Sequence, residues 1–174
     1  MIITIPNPCH SLAYLEKLRP FEKTVRCMKL DQGHVLVVDD NEVNRELLSK
    51  RLRRQSLTVV LVENGRQALS EMRSQPFDLV LLDIMMPELN GYEVLEQIKA
   101  DPLLRHIPVI MISALDDLDS VVRCVELGAE DYLFKPFNPI LLKARINACL
   151  EKKRLRDQEQ AYLKQLQAYL KQLQ

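Results

Sequence analysis

The feature that most constrains this chain is a fivefold alternation of short apolar runs with stretches of helical periodicity. Val35-Leu36-Val37-Val38 is continuously apolar and stops abruptly at Asp39-Asp40. A run of that kind suits a strand buried on both faces, as in parallel sheets. Further runs follow at residues 58–62, 79–82, 109–112 and 132–134. Between them, residues 41–55 carry Val43, Leu47, Leu48, Arg51 and Leu52 at helical spacing, and helical patterns recur at 65–74, 91–100 and 117–127. A fifth helix begins near Asn138, with Leu142, Ile146, Cys149 and Leu150 as its inward stripe. Pro87, Gly91, Pro102, Pro108, Gly128 and Pro136 punctuate the junctions. Strands and helices in strict alternation predict an α/β sandwich with a parallel sheet and right-handed crossovers.

Length and charge narrow the class further. The 174 residues suffice for one ordinary domain with appendages. A formal net charge of zero gives no global attraction to nucleic acid or an anionic membrane. The four cysteines, Cys9, Cys27, Cys124 and Cys149, are scattered without metal-ligand spacing and read as reduced thiols. The start of the chain lacks the pattern of a secretory leader, and no apolar stretch reaches the roughly 20 residues of a membrane span. The expectation is a soluble, cytoplasmic protein.

In open parallel sheets, chemistry gathers beyond the carboxyl ends of the strands. The polar residues of this chain fall there. Asp39 and Asp40 close the first strand, Asp83 the third, Ser113 the fourth and Lys135 the fifth. Three carboxylates, a hydroxyl and an ammonium therefore converge although they lie far apart in sequence. Clustered carboxylates repel one another unless a cation compensates them. Lys135 offsets one charge, and Mg²⁺, which favours carboxylate and carbonyl oxygens, offsets more. Asp39 and Asp40 suit the metal, with Asp83 both ligand and nucleophile. Phosphoryl transfer needs mainly such positioning and charge neutralisation, and its product here is an acyl phosphate on Asp83.

The blocks VLVVDDN, LVLLDIMMPELNGYEVL, VIMISA and GAEDYLFKPF, in that order, resemble the signature blocks of bacterial two-component response-regulator receiver domains, the CheY-like family. The resemblance covers about residues 34–150. It implies a flavodoxin-like (βα)5 fold with sheet order 2-1-3-4-5. It also implies Asp39 and Asp40 as the metal site, Asp83 as phosphoacceptor and the backbone carbonyl of Met85 as a further Mg²⁺ ligand. Ser113 matches the switch hydroxyl, Tyr132 the switch aromatic and Lys135 the phosphate-binding lysine, with a cis Lys135–Pro136 bond. Ser113 stands where Thr is commoner. Met85 and Leu115 occupy variable positions beside the acceptor, where apolar side chains are ill suited to orient a hydrolytic water.

Blander readings compete at several positions. Asp39-Asp40 alone reads as a helix cap, Ser113 as a loop serine and Tyr132 as a strand aromatic; the company of Asp83 and Lys135 favours the site. His10, His34 and His106 are expected to be isolated surface residues. Lys152-Lys153-Arg154 with Arg156 reads as a solvated helix face. No helix-turn-helix follows it, so no nucleic acid is expected to be bound directly.

Residues 161–167 and 168–174 are the same heptad, AYLKQLQ. Leu163, Leu166, Leu170 and Leu173 fall at a/d spacing, which predicts a parallel coiled coil and a homodimer. The domain boundaries expected are an N-terminal extension at 1–33, a receiver at 34–150 and a helical coiled-coil segment at 151–174. The function expected is a switch phosphorylated by a histidine kinase or phosphotransfer protein. A Mg²⁺-dependent hydrolase with Asp83 as transient nucleophile is the alternative from another class, and a phosphorylation-independent dimerisation scaffold is the third.

Overall fold

The computed structural model describes residues 33–114 and 118–172. Cys9, His10, Cys27, Leu115, Asp117, Leu173 and most of the 1–33 extension lie outside these residues. The strands are β1 (His34–Val38), β2 (Thr58–Val62), β3 (Leu79–Asp83), β4 (Val109–Ser113) and β5 (Asp131–Phe134). The helices are α1 (Glu42–Arg53), α2 (Gly65–Ser74), α3 (Gly91–Ala100), α4 (Leu118–Glu126) and α5 (Pro139–Gln172). All strand pairs are parallel, and the sheet order is β2-β1-β3-β4-β5. This is the flavodoxin-like order that the family resemblance implies.

Alternation along each strand splits the core into two layers. Leu36, Val38, Val80, Leu82, Val109, Met111 and Tyr132 join a cluster closed by Ala68, Leu69 and Met72 of α2, Val94, Leu95 and Ile98 of α3, and Cys124 of α4. Val35, Val37, Leu79, Leu81, Ile110, Ile112 and Leu133 form the other layer, closed by Leu48 and Leu52 of α1 and by Leu142, Ile146 and Cys149 of α5. Both faces of the sheet are thus buried, which is why the strands read as unbroken apolar runs.

Local chemistry fixes the helix ends. Asn41, Asn64 and Asn90 are the N-caps of α1, α2 and α3, and Asn90 completes a capping box with Glu93. Gly128, at φ +88, ends the turn after α4. The Gly128 and Ala129 N–H groups there donate to the carbonyls of Val125 and Cys124. This left-handed termination favours glycine and delivers the chain into β5.

Of the apolar residues at helical spacing in α1, Leu48 and Leu52 are buried, whereas Val43 is 74% exposed and Leu47 is exposed too. Two expectations need correction. His34 is not isolated: it starts β1, stacks on Phe77 at 4.5 Å between ring centroids, and places Nδ1 2.8 Å from the Pro76 carbonyl. The basic cluster of α5 is not simply a solvated face. Lys153 is 9% exposed, Lys152 and Arg156 are ion-paired with Glu130, and Lys153 with Asp78 and Asp157.

Helix α5 runs unbroken for 34 residues, about 50 Å at the α-helical rise. Its amino-terminal part packs on the sheet. From Glu159 to Gln172 every residue is exposed, including Leu163, Leu166 and Leu170. Among the described residues, no helix is long and apolar enough to cross a membrane.

Candidate functional site

Asp83 is the last residue of β3, and its carbonyl edge faces the first turn of α3. The Gly91 N–H donates to the Ile84 carbonyl at 2.9 Å. A Cβ on Gly91 would lie 2.3 Å from the Asp83 carbonyl oxygen, so the helix approaches the acceptor strand as closely as only glycine permits. Asp39 follows β1 directly, and β1 and β3 are neighbours in the sheet. Lys135 follows β5 directly, joined to Pro136 by a cis peptide bond as the resemblance implies. The lysine reaches back across β4, and its backbone N–H donates to the Ser113 carbonyl at 2.6 Å.

These placements bring three carboxylates and one ammonium together. Lys135 Nζ lies 2.7 Å from Asp39 Oδ2 and 2.7 Å from Asp83 Oδ2. One carboxylate oxygen from each of Asp39, Asp40 and Asp83 lies within 4.8 Å of the others. Asp39 and Asp83 are buried, while Asp40 is exposed. Ser113 is fully buried at the end of β4, paired with Phe134 in the strand register. Tyr132 lies two residues before Phe134, with the rings 4.9 Å apart edge to face. It is only 7% exposed and its ring belongs to the core.

Burial pushes the Asp83 carboxyl above its usual range; the lowering influence of Lys135 and of the Met85 N–H does not overcome it, and the Asp39 charge reinforces it. Burial also works against the Lys135 ammonium, but hydrogen bonds to Asp39 and Asp83 outweigh it and raise its pKa. Lys135 therefore stays charged, while the carboxylate cluster remains short of positive charge. Three hard oxygen donors around such a deficit fit a divalent cation of the Mg²⁺ type.

Neighbouring groups missed in the sequence orient the cluster. The N-cap of α1 is Asn41, which leaves Asp39 and Asp40 free of capping duty. Asp39 Oδ1 accepts from the Asn41 N–H at 2.9 Å and from Asn44 Nδ2 at 3.2 Å. The Arg45 guanidinium donates through one nitrogen to the carbonyls of Asp39 and Asp40, at 2.8 and 2.9 Å. Asn44 and Arg45 sit one helical turn past the acidic pair, the only signal the sequence offered. Met85, beyond the acceptor, has a 59% exposed side chain, and its N–H donates to Asp83 Oδ1 at 3.4 Å.

A doubly wound parallel sheet that gathers an acidic cluster around one lysine beyond β1, β3 and β5 defines a CheY-like domain. The chain belongs to the response regulator receiver domain family, which matches residues 35–147. Over 128 residues it is 42% identical to a protein of Vibrio cholerae named a probable cyclic di-GMP phosphodiesterase, covering 74% of this chain and 29% of that one. Over 126 residues it is 40% identical to ycf27 of Cyanidium caldarium, named a probable transcriptional regulator, covering 72% and 49% respectively. The chain thus spans half or less of the length of these relatives. The receiver domain of a signal transduction histidine kinase from Syntrophus aciditrophicus superposes with a TM-score of 0.65 at 34% identity, covering 69% of this chain and 91% of that one. The family is that of two-component signal transduction, and its members bind Mg²⁺ through an acidic pocket.

Proposed function

We propose that this receiver accepts a phosphoryl group on Asp83 from a histidine kinase or phosphotransfer protein in the cytoplasm and passes the change to its C-terminal helix. The observation that carries the reading is the shared Lys135 ammonium, 2.7 Å from both Asp39 and Asp83. An Asp83 oxygen attacks phosphorus, the phosphorus–nitrogen bond of the donor phosphohistidine breaks, and its electron pair remains with the imidazole. Lys135 orients the Asp83 carboxylate and faces the incoming phosphoryl oxygens with a fixed positive charge. Ser113, at the adjacent strand end, donates its hydroxyl to the phosphoryl group once it is in place. Asp39, Asp40, Asp83 and the Met85 carbonyl would hold Mg²⁺, which when bound neutralises charge on the cluster and on the transferred group.

Turnover on this account is confined to self-phosphorylation and slow loss of the acyl phosphate. Ser113 and Tyr132 are the switch pair, reporting to the surface of α4, β5 and α5. Residues 34–150 are the receiver and 1–33 an extension. Residues 151–174 form a coiled-coil segment that joins two copies through the leucines of its repeated heptad.

With acetyl phosphate and Mg²⁺, the protein should gain the mass of one phosphoryl group; Asp83→Asn should gain none, and chelation should stop the reaction. An equal gain in the Asp83→Asn protein would overturn the assignment.

A further inference from the structure

Helix α5 leaves the sheet at the edge opposite the acidic cluster, and the contacts there are ionic. Glu130, whose side chain is 15% exposed, accepts from Lys152 and from Arg156, the latter at 3.3 Å. Lys152 and Arg156 are four residues apart and share one helix face. The partner is held rigidly: the Glu130 N–H donates to the Val109 carbonyl at 2.8 Å. On the adjoining residue of the helix, Lys153 lies 3.5 Å from Asp78. Asp78 is itself fixed to the sheet, its N–H donating to the His34 carbonyl and its Oδ2 accepting from the His34 N–H, both at 2.8 Å. The helix is therefore docked on the amino edge of the sheet for about two turns past the last apolar contact at Leu150.

The position of Glu130 gives this dock a use. It is the residue immediately before β5, and Lys135 is the residue immediately after it. The two are joined by one short strand, about 17 Å at the extended rise, with Tyr132 between them. At the amino end Asp131 is also ion-paired with Arg145 of α5. One end of β5 thus touches Asp39 and Asp83, and the other holds the helix that carries the heptads.

We propose that Glu130 is a clamp by which β5 grips the outgoing helix, so that a shift of Lys135 at the acidic cluster is delivered through the strand to Lys152 and Arg156. The helix then leaves the domain as a lever rather than hinging at Leu150. The trigger rests on the phosphoacceptor reading of Asp83; the clamp does not. Partly buried ion pairs on a fixed backbone suit the task, because they are screened less than exposed ones and because losing the acceptor leaves two cations facing each other.

Hydrogen exchange on the full chain separates the two parts. In Glu130→Gln, and independently in Lys152→Gln/Arg156→Gln, backbone amides of residues 151–157 should exchange about five-fold faster or more, with β1 amides unchanged as a check on the fold. Unchanged exchange at 151–157 in both variants would overturn the clamp. With acetyl phosphate and Mg²⁺, on samples whose mass shows the Asp83 adduct, the wild-type protein should change exchange at 151–157 and Glu130→Gln should change it by less than half as much. Equal changes in the two proteins, or none in the phosphorylated wild type, would overturn the coupling and leave the acceptor intact. A sample that gains no mass at Asp83 removes the acceptor reading and the coupling with it, while the first comparison still decides the clamp.

Discussion

Gly91→Ala sets two physical effects against each other at the acceptor. Gly91 opens α3, and by helix propensity alone alanine there should stabilise by about 0.5–1 kcal/mol. The added Cβ, however, would lie 2.3 Å from the Asp83 carbonyl oxygen and 2.7 Å from the Ile84 Cα. Both are backbone atoms of a buried strand end and cannot rotate aside. Overpacking of this kind costs about 1–3 kcal/mol, so sterics should win by roughly 1–2 kcal/mol. For a domain of this size that lowers the unfolding midpoint by about 2–8 °C. Gly65→Ala is the internal control: it sits at the same first-turn position of α2 behind an asparagine cap, and its closest contacts are Val94 Cγ2 at 2.4 Å and Leu89 Cδ2 at 2.9 Å. Those are side-chain atoms rather than backbone, and although Val94 is fully buried a small side-chain shift can relieve the clash, so its loss should be smaller. Thermal unfolding followed by circular dichroism measures both, and the rate of phosphorylation by acetyl phosphate should fall further in Gly91→Ala. A Gly91→Ala protein as stable as the wild type, or more stable than Gly65→Ala, would refute the reasoning.

Three further outcomes follow from single features. Met85→Asn should shorten the life of the acyl phosphate, because the exposed apolar side chain beside Asp83 gives no hydrogen bond to an attacking water; an unchanged or slower decay would count against it. Burial opposes ionisation of Glu130, yet Lys152 and Arg156 outweigh it and hold its carboxyl below the usual value near 4.5. Its contribution to stability is accordingly full above that value and lost as the pH falls through the lowered one, so denaturation curves of wild type and Glu130→Gln should converge in acid and not at neutral pH. Sedimentation should show a dimer that becomes monomeric when the chain is cut after Leu155, since Leu163, Leu166 and Leu170 are exposed along the removed segment; a dimer surviving the cut would exclude that seam.

Much of the fold was legible because both sheet faces are buried. Each strand core appears as an apolar run, and α2 and α3 begin at Gly65 and Gly91 as the pattern predicts. The sheet order was not in the periodicity; it came with the family resemblance, because strand adjacency depends on pairings between distant segments. Asp39, Asp83, Ser113 and Lys135 were legible as polar residues at apolar run ends. Asn44 and Arg45 were not, since a polar residue on a helix surface looks the same whether it meets water or a carbonyl. Gly91 passed for punctuation because its neighbour is the backbone of Asp83, which no side-chain pattern encodes. Lys152 and Arg156 passed for a solvated face because their acceptor, Glu130, lies 22 and 26 residues upstream.

The central claim concerns which carboxylate becomes the acyl phosphate. Borohydride reduces an acyl phosphate to the alcohol, so protein phosphorylated in Mg²⁺ and then reduced carries homoserine in place of the modified aspartate. Peptide mass spectrometry should find homoserine at residue 83 and unmodified aspartate at residues 39 and 40. Reduction at residue 39 or 40, or a phosphorylated protein with no reduced residue at 83, would contradict the account.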